Sequence, residues 1–133
     1  MIIHENKWYL LKYDDSIKTL FAVWMNIDEM TDNLYKEQLE HYIKSILQYR
    51  PEKVLIDISE GYYPLNEEML KWNEKNIASK VESSNVTKIA FVMPKSLLHS
   101  MVVEHIIANI NRKSKIQRKI FYTYDKAMEW IME

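Results

Sequence analysis

Asp57 is the residue best placed to meet a ligand. It interrupts the apolar run Val54-Leu55-Ile56-Asp57-Ile58 near its C-terminal end. In open α/β sheets, ligand crevices form outside the carboxyl ends of the strands. Ser59, Gly61, Tyr62 and Tyr63 follow in the next loop. Asn66 and Ser96, the latter just after Pro94, each open a segment of helical spacing, so backbone amides at those ends could meet an anion. Trp72 follows the same loop on a weakly amphipathic segment and is expected to be exposed or to line a pocket. Asp57, Ser59, Gly61, Tyr62, Asn66, Trp72, Pro94 and Ser96 therefore form the expected binding edge, for a protein partner or a small apolar or anionic ligand. A plainer reading stands beside it and carries more weight residue by residue. Asp57 would cap its own loop, Asn66 and Ser96 would cap helices, and the tyrosines would pack.

Reactive chemistry finds less support. The histidines are His4, His41, His99 and His105. Glu37 and His41 are four residues apart and share a helix face, which is half a metal site at most, and no second pair completes it. His99 and His105 point in different directions, and His105 lies beside an apolar stripe, which suits a hydrogen-bonded, partly buried ring. No nucleophile elbow or local Ser/His/Asp order is present. Glu67, Glu68 and Glu74 sit on an expected solvent face, so a paired-carboxylate glycosidase has no basis. Asp14, Asp15 and Asp57 invite comparison with acidic clusters that hold magnesium around a phosphoacceptor carboxylate. That arrangement needs its acidic pair after a strand that leads into a helix, whereas Asp14-Asp15 falls in a turn between two β-type runs. With no cysteine, disulfides, thiolate catalysis and thiolate metal sites drop out together. With Gly61 as the single glycine, a phosphate-cradling or dinucleotide loop cannot be built. The expectation is a non-enzymatic protein with no metal and no cofactor.

Composition bounds the rest. The chain has 133 residues, 47% hydrophobic and 28% charged, enough for one domain spanning 1–133 with a real core. A net charge of −1 supplies no field to gather nucleic acid or an anionic membrane. The basic stretch from Arg112 to Lys119 is read as a solvated helix end and loop. Met1 to Lys7 is too polar for a signal peptide, and apolar runs such as Thr19 to Met25 are too short to span a bilayer. A cytoplasmic setting is expected.

The elements that must position these residues follow from periodicity. Trp8–Tyr13 and Lys18–Met25 read as strands joined by the Asp14-Asp15-Ser16 turn, hence an antiparallel hairpin. Tyr35, Leu39, Tyr42, Ile43 and Ile46 recur at helical spacing after Thr31 or Asp32 as N-cap, and Pro51 ends that helix. Val54–Ile58 is a strand covered on both faces. A second helix runs from Asn66 to about Val81 with Met69, Trp72, Asn73, Ile77 and Val81 near one face. Thr87–Met93 is the next strand. A third helix follows Ser96, with Leu98, Met101, Val102, His105, Ile106 and Asn109 on its inner side. Lys119–Tyr122 is the last strand, and Asp125 caps a final helix containing Ala127, Met128 and Ile131. The order β-β-α-β-α-β-α-β-α predicts an α/β fold, a five-stranded, mostly parallel sheet with an antiparallel N-terminal edge hairpin.

Three segments are familiar together: Val54-Leu55-Ile56-Asp57-Ile58-Ser59, Lys88-Ile89-Ala90-Phe91-Val92-Met93-Pro94, and Ile120 through Ile131 with its Phe121, Ala127 and Trp130. With the opening hairpin they resemble the SpoIIAA-like branch of the STAS superfamily, small cytosolic proteins often found in bacteria, whose fold is also similar to the lipid-binding CRAL-TRIO domain. The resemblance implies a regulatory or ligand-binding module, possible as a homodimer, or alternatively a carrier of a small lipid-like molecule. Members of the anti-sigma-factor antagonist branch carry a phosphorylatable serine at the start of the helix after the third strand. The matching position here falls near Asn66, between Leu65 and Glu67, and no serine lies between Gly61 and Ser79. The resemblance thus implies binding without that phospho-switch.

Overall fold

The computed structural model describes residues 1–94, 97–111 and 114–133, with backbone alone at 97–100 and 110–111. Strands β2 (Tyr9–Asp14) and β3 (Thr19–Trp24) form the expected hairpin. Before them lies a strand that the sequence reading missed, β1 (Ile2–Glu5), antiparallel to β2. The sheet therefore has six strands, not five. β1 escaped notice because it has four residues with two isoleucines side by side rather than alternating, and its register shifts between Ile2 and His4. Strands β4 (Lys53–Asp57), β5 (Lys88–Val92) and β6 (Gln117–Phe121) continue the sheet in parallel from β3. β6 starts at Gln117 rather than the expected Lys119, and in it Arg118 turns inward while its neighbours Gln117 and Lys119 face out.

Helix α1 (Asp32–Tyr49) starts where Thr31 Oγ1 accepts from the Leu34 amide at 3.2 Å, and it closes at Arg50 in the left-handed region just before Pro51. Helix α2 (Glu67–Asn73) is capped by Asn66, whose Oδ1 accepts from the Met69 amide at 2.8 Å. It passes through a π-turn, Glu74–Ala78, into α3 (Ser79–Glu82). Within that turn Asn76 Nδ2 donates to the Trp72 carbonyl at 3.0 Å, so a side chain satisfies an oxygen of the helix ladder. Helix α4 spans Leu97–Asn111 and α5 spans Tyr124–Ile131. The cap of α5 is Thr123, whose Oγ1 accepts from the Lys126 amide at 3.2 Å, not Asp125. Asp125 instead occupies the first turn, where the helix dipole favours a carboxylate.

The strands lie side by side in the order of the chain, β1-β2-β3-β4-β5-β6. Right-handed crossovers that always advance in one direction leave their helices on one face. The core clusters agree. Leu39, Tyr42, Ile43 and Ile46 of α1 and Ile77 and Val81 of the next helix pack with Leu20, Ala22, Val54 and Ile89. Val103 and Ile107 of α4 join that face farther along, against Phe91 and Ile120. The opposite face carries α5 alone, with Ala127, Trp130 and Ile131 over Phe21, Leu55, Ala90 and Val92.

Helix α4 is turned relative to expectation. Val103 and Ile107 are buried, while Met101, Val102, His105 and Asn109 face outward. The helix is apolar around most of its circumference, so periodicity could not set which side faces the sheet.

Candidate functional site

Strand order decides what kind of site the sheet can offer. The crevice of doubly wound sheets opens where strand order reverses and neighbouring crossovers diverge to opposite faces. Here the order never reverses, and the loops after β4 and β5 lead to helices on the same face, while the loop after β6 leads to α5 on the other. The loop after β4 closes over instead. Asp57 Oδ1 accepts from the Ser59 amide at 2.9 Å, an Asx-type turn. Gly61 adopts a φ of +155°, and a Cβ there would come within 3.3 Å of the Ile27 side chain. Glycine is needed at this point for both conformation and close approach.

The tyrosines of that loop point to different neighbours. Tyr62 is half-buried against the cluster of Met93, Val103 and Ile107. Tyr63 stacks on Tyr35 with ring centroids 5.3 Å apart, and its hydroxyl donates to Asp32 at the start of α1. Tyr35 stacks in turn on Trp24 at 4.8 Å, and Trp24 meets Tyr9 at 4.3 Å. Burial, then the Asp32 contact, pushes the Tyr63 phenol up to about 12. Trp72, expected to be exposed or pocket-lining, is half-buried against the main core, with the Lys36 ammonium 5.4 Å from its ring. Asn66 caps α2 and Pro94 is buried, while Ser96 lies outside the described residues. Of the predicted set, the structure brings Asp57 and Ser59 directly together. It places Gly61 and Tyr62 in the packing of the loop, and it spends Asn66 on a cap.

Residues that the sequence reading left aside complete the surface at the strand ends. Tyr122 follows β6, is 65% exposed, and donates its hydroxyl to Glu104 Oε1 of α4 at 2.7 Å. That hydrogen bond, followed by burial, raises the Tyr122 phenol above its ordinary range. Tyr124 opens α5 and is 45% exposed. Its phenol is raised by burial first and then by the carboxylates of Asp57 and Asp125. Met101, three residues before Glu104 on the same helix side, is also exposed. The signal that could have found these residues was a pair of tyrosines flanking a helix cap directly after the last strand.

This arrangement can form hydrogen bonds and bury aromatic area. Among the described residues, no group of three or more histidine, aspartate or glutamate side chains is placed to hold a metal ion. No helix of the described residues is long and apolar enough to cross a membrane. No family model, no curated protein and no solved structure matches the chain.

Proposed function

We propose that the chain is a non-enzymatic, STAS-like module that binds a protein partner on the surface formed by the ends of β4 and β6 and the outer side of α4. The observation that carries this reading is a pair of exposed tyrosines at that end, Tyr122 donating to Glu104 and Tyr124 opening α5. Tyrosine offers a rigid aromatic face and a hydroxyl at low entropic cost, and it is enriched where proteins meet. The exposed Met101 extends the apolar part of the same surface. An element order of opening antiparallel strands followed by alternating helix and strand supports the SpoIIAA-like resemblance, with β1 as an addition to the expected hairpin. At the position of that branch's phosphorylated serine stands Asn66, engaged as a helix cap, so binding here would be regulated by other means than phosphorylation at that point.

A lipid carrier would need a deep apolar cavity of hundreds of cubic ångströms. The best-formed concavities among the described residues are instead open grooves along β6, of about 350 and 400 Å³. The binding module is therefore the reading we carry forward.

Native mass spectrometry of protein purified from its own host tests it. A stoichiometric protein partner that disappears from the Tyr122→Ala/Tyr124→Ala variant supports the reading. A co-purifying small molecule, or a partner retained by that variant, overturns it.

A further inference from the structure

The two edges of the sheet are finished differently. At one edge, β1 has four residues and an irregular register, a common way of blunting a strand against further pairing. At the other edge, β6 pairs with β5 in unbroken register from Lys88↔Gln117 to Val92↔Phe121. The Gln117 amide donates to the Thr87 carbonyl and the Phe121 carbonyl accepts from Met93, so the odd-numbered residues of β6 turn their backbone toward β5. Alternation then turns the N–H and C=O of Ile120 toward the open side. Helix α4 covers one face beside β6 and α5 covers the other, leaving the edge at the bottom of a channel. The two grooves named above are lined by every residue from Ser114 to Thr123, with Trp130 shared between them. They form one trough running the length of the strand.

Charge selects the occupant. Lys115, Arg118 and Lys119 line the half of the trough nearer the start of β6, while Lys126 at the other half stands with Glu129 and Glu133. Lys126 is matched by Glu129 at 3.6 Å, while Lys119 sits 5.7 Å from the Trp130 ring and forms no ion pair among the described residues. A second copy of the chain would be a poor fit. Two-fold antiparallel pairing of Gln117–Phe121 places Lys119 directly opposite its own counterpart, and like charges in that position destabilise a ladder.

We propose that the open edge of β6 accepts an extended, acidic segment of a partner protein as a seventh strand, its carboxylates meeting Lys115 and Lys119. Main-chain hydrogen bonds supply affinity in this mode, and alternate side chains supply selectivity. The trough meets the tyrosine-bearing strand ends at Tyr122, but the proposal rests on the backbone edge of β6 and its lysines and does not depend on the tyrosines.

The probe is a short end-blocked peptide alternating glutamate and valine, with a lysine–valine peptide as control. Fluorescence anisotropy reads binding, and amide hydrogen exchange reads where it occurs. The expected result is binding of the acidic peptide alone, slower exchange at the Ile120 amide, and affinity about tenfold weaker in Lys119→Glu. Lys119 is exposed, so the variant keeps the fold, and Lys119→Gln should fall between it and the parent. The proposal is overturned if neither peptide binds, if both bind equally, or if Ile120 exchange is unchanged. A concentration-dependent dimer with β6 protected in the absence of peptide overturns it in favour of self-pairing.

Discussion

The imidazole rings of His4 and His41 lie face to face, centroids 3.9 Å apart and planes 14° from parallel, and so join edge strand β1 to helix α1. Asn6 Nδ2 donates to the buried Gln38 Oε1 at 2.8 Å beside them, and it lies 3.2 Å from His4 Nε2. Burial first, and the neighbouring His4 second, hold His41 below its ordinary value of 6.5, with Lys44 acting in the same direction and Glu37 and Glu40 opposing. The folded chain thus keeps His41 neutral where the unfolded chain takes up a proton. Stability is complete above the ordinary value and declines as pH falls below it. The urea midpoint should drop between about pH 7.5 and about pH 5, and His41→Phe, which keeps the stack but cannot titrate, should flatten that dependence. An identical slope in the variant would show that the stack carries no such penalty.

Gly61→Ala should destabilise the fold by about 1–2 kcal/mol, because the new Cβ meets strain in φ and the Ile27 side chain together. Ile27→Ala in the same background relieves only the steric part. Comparing the urea midpoints of the two variants separates backbone strain from contact. Equal stability of Gly61→Ala and the parent would contradict the close approach.

Tyr63→Phe removes the hydroxyl donated to Asp32 and should cost about 1 kcal/mol near neutral pH. The sign of its pH dependence follows from a phenol raised from 10.0 to about 12. The contribution is present below the ordinary value and is lost as pH rises through the folded one. Chemical denaturation at neutral and alkaline pH should show parent and variant converging at the alkaline end. A gap that widens there would refute the assignment.

Glu82 ties the end of α3 to the approach of β6. Its carboxylate accepts from Ser114 Oγ at 2.6 Å and from the Lys115 amide at 2.9 Å, and Arg118 Nη1 donates to the same Ser114 Oγ at 2.9 Å. The Ser114 hydrogen bond is the largest influence holding Glu82 below its ordinary value of 4.5. Its contribution is therefore present above that value and fades as pH falls through the folded one. Glu82→Gln should lose about 1–2 kcal/mol at neutral pH and little in acid, measured by denaturant midpoints at each pH. A variant equally destabilised at both would point to packing rather than charge.

Local chemistry was legible wherever neighbours in sequence are neighbours in space. Asn66 was read as a cap, and Thr31 as one of two candidates beside Asp32, because an N-cap needs only its own side chain and an amide three residues on. The β2–β3 hairpin was legible from its turn, and the face of α1 from clean amphipathic spacing. The plainer reading of Asp57 as a loop cap also rests on such local contact, through the Ser59 amide. The inner side of α4 was not legible, since apolar residues surround that helix and only the sheet beneath chooses among them. Nor was the hydrogen bond from Tyr122 to Glu104, which joins the end of β6 to α4 across eighteen residues of chain.

The amino-acid sequence alone therefore determined the α/β class, the alternation of helices and strands after the hairpin, the starts of α1 and α2, and the exclusion of thiolate and glycine-loop chemistry. These follow from residue type and short-range periodicity. The tertiary structure decided the strictly sequential strand order, the single-sided placement of the crossover helices, and the placement of α5 on the opposite face. It also decided that β6 ends the sheet with an open edge. Strand order is a property of how every helix packs against one shared layer, and no local pattern of side chains encodes it.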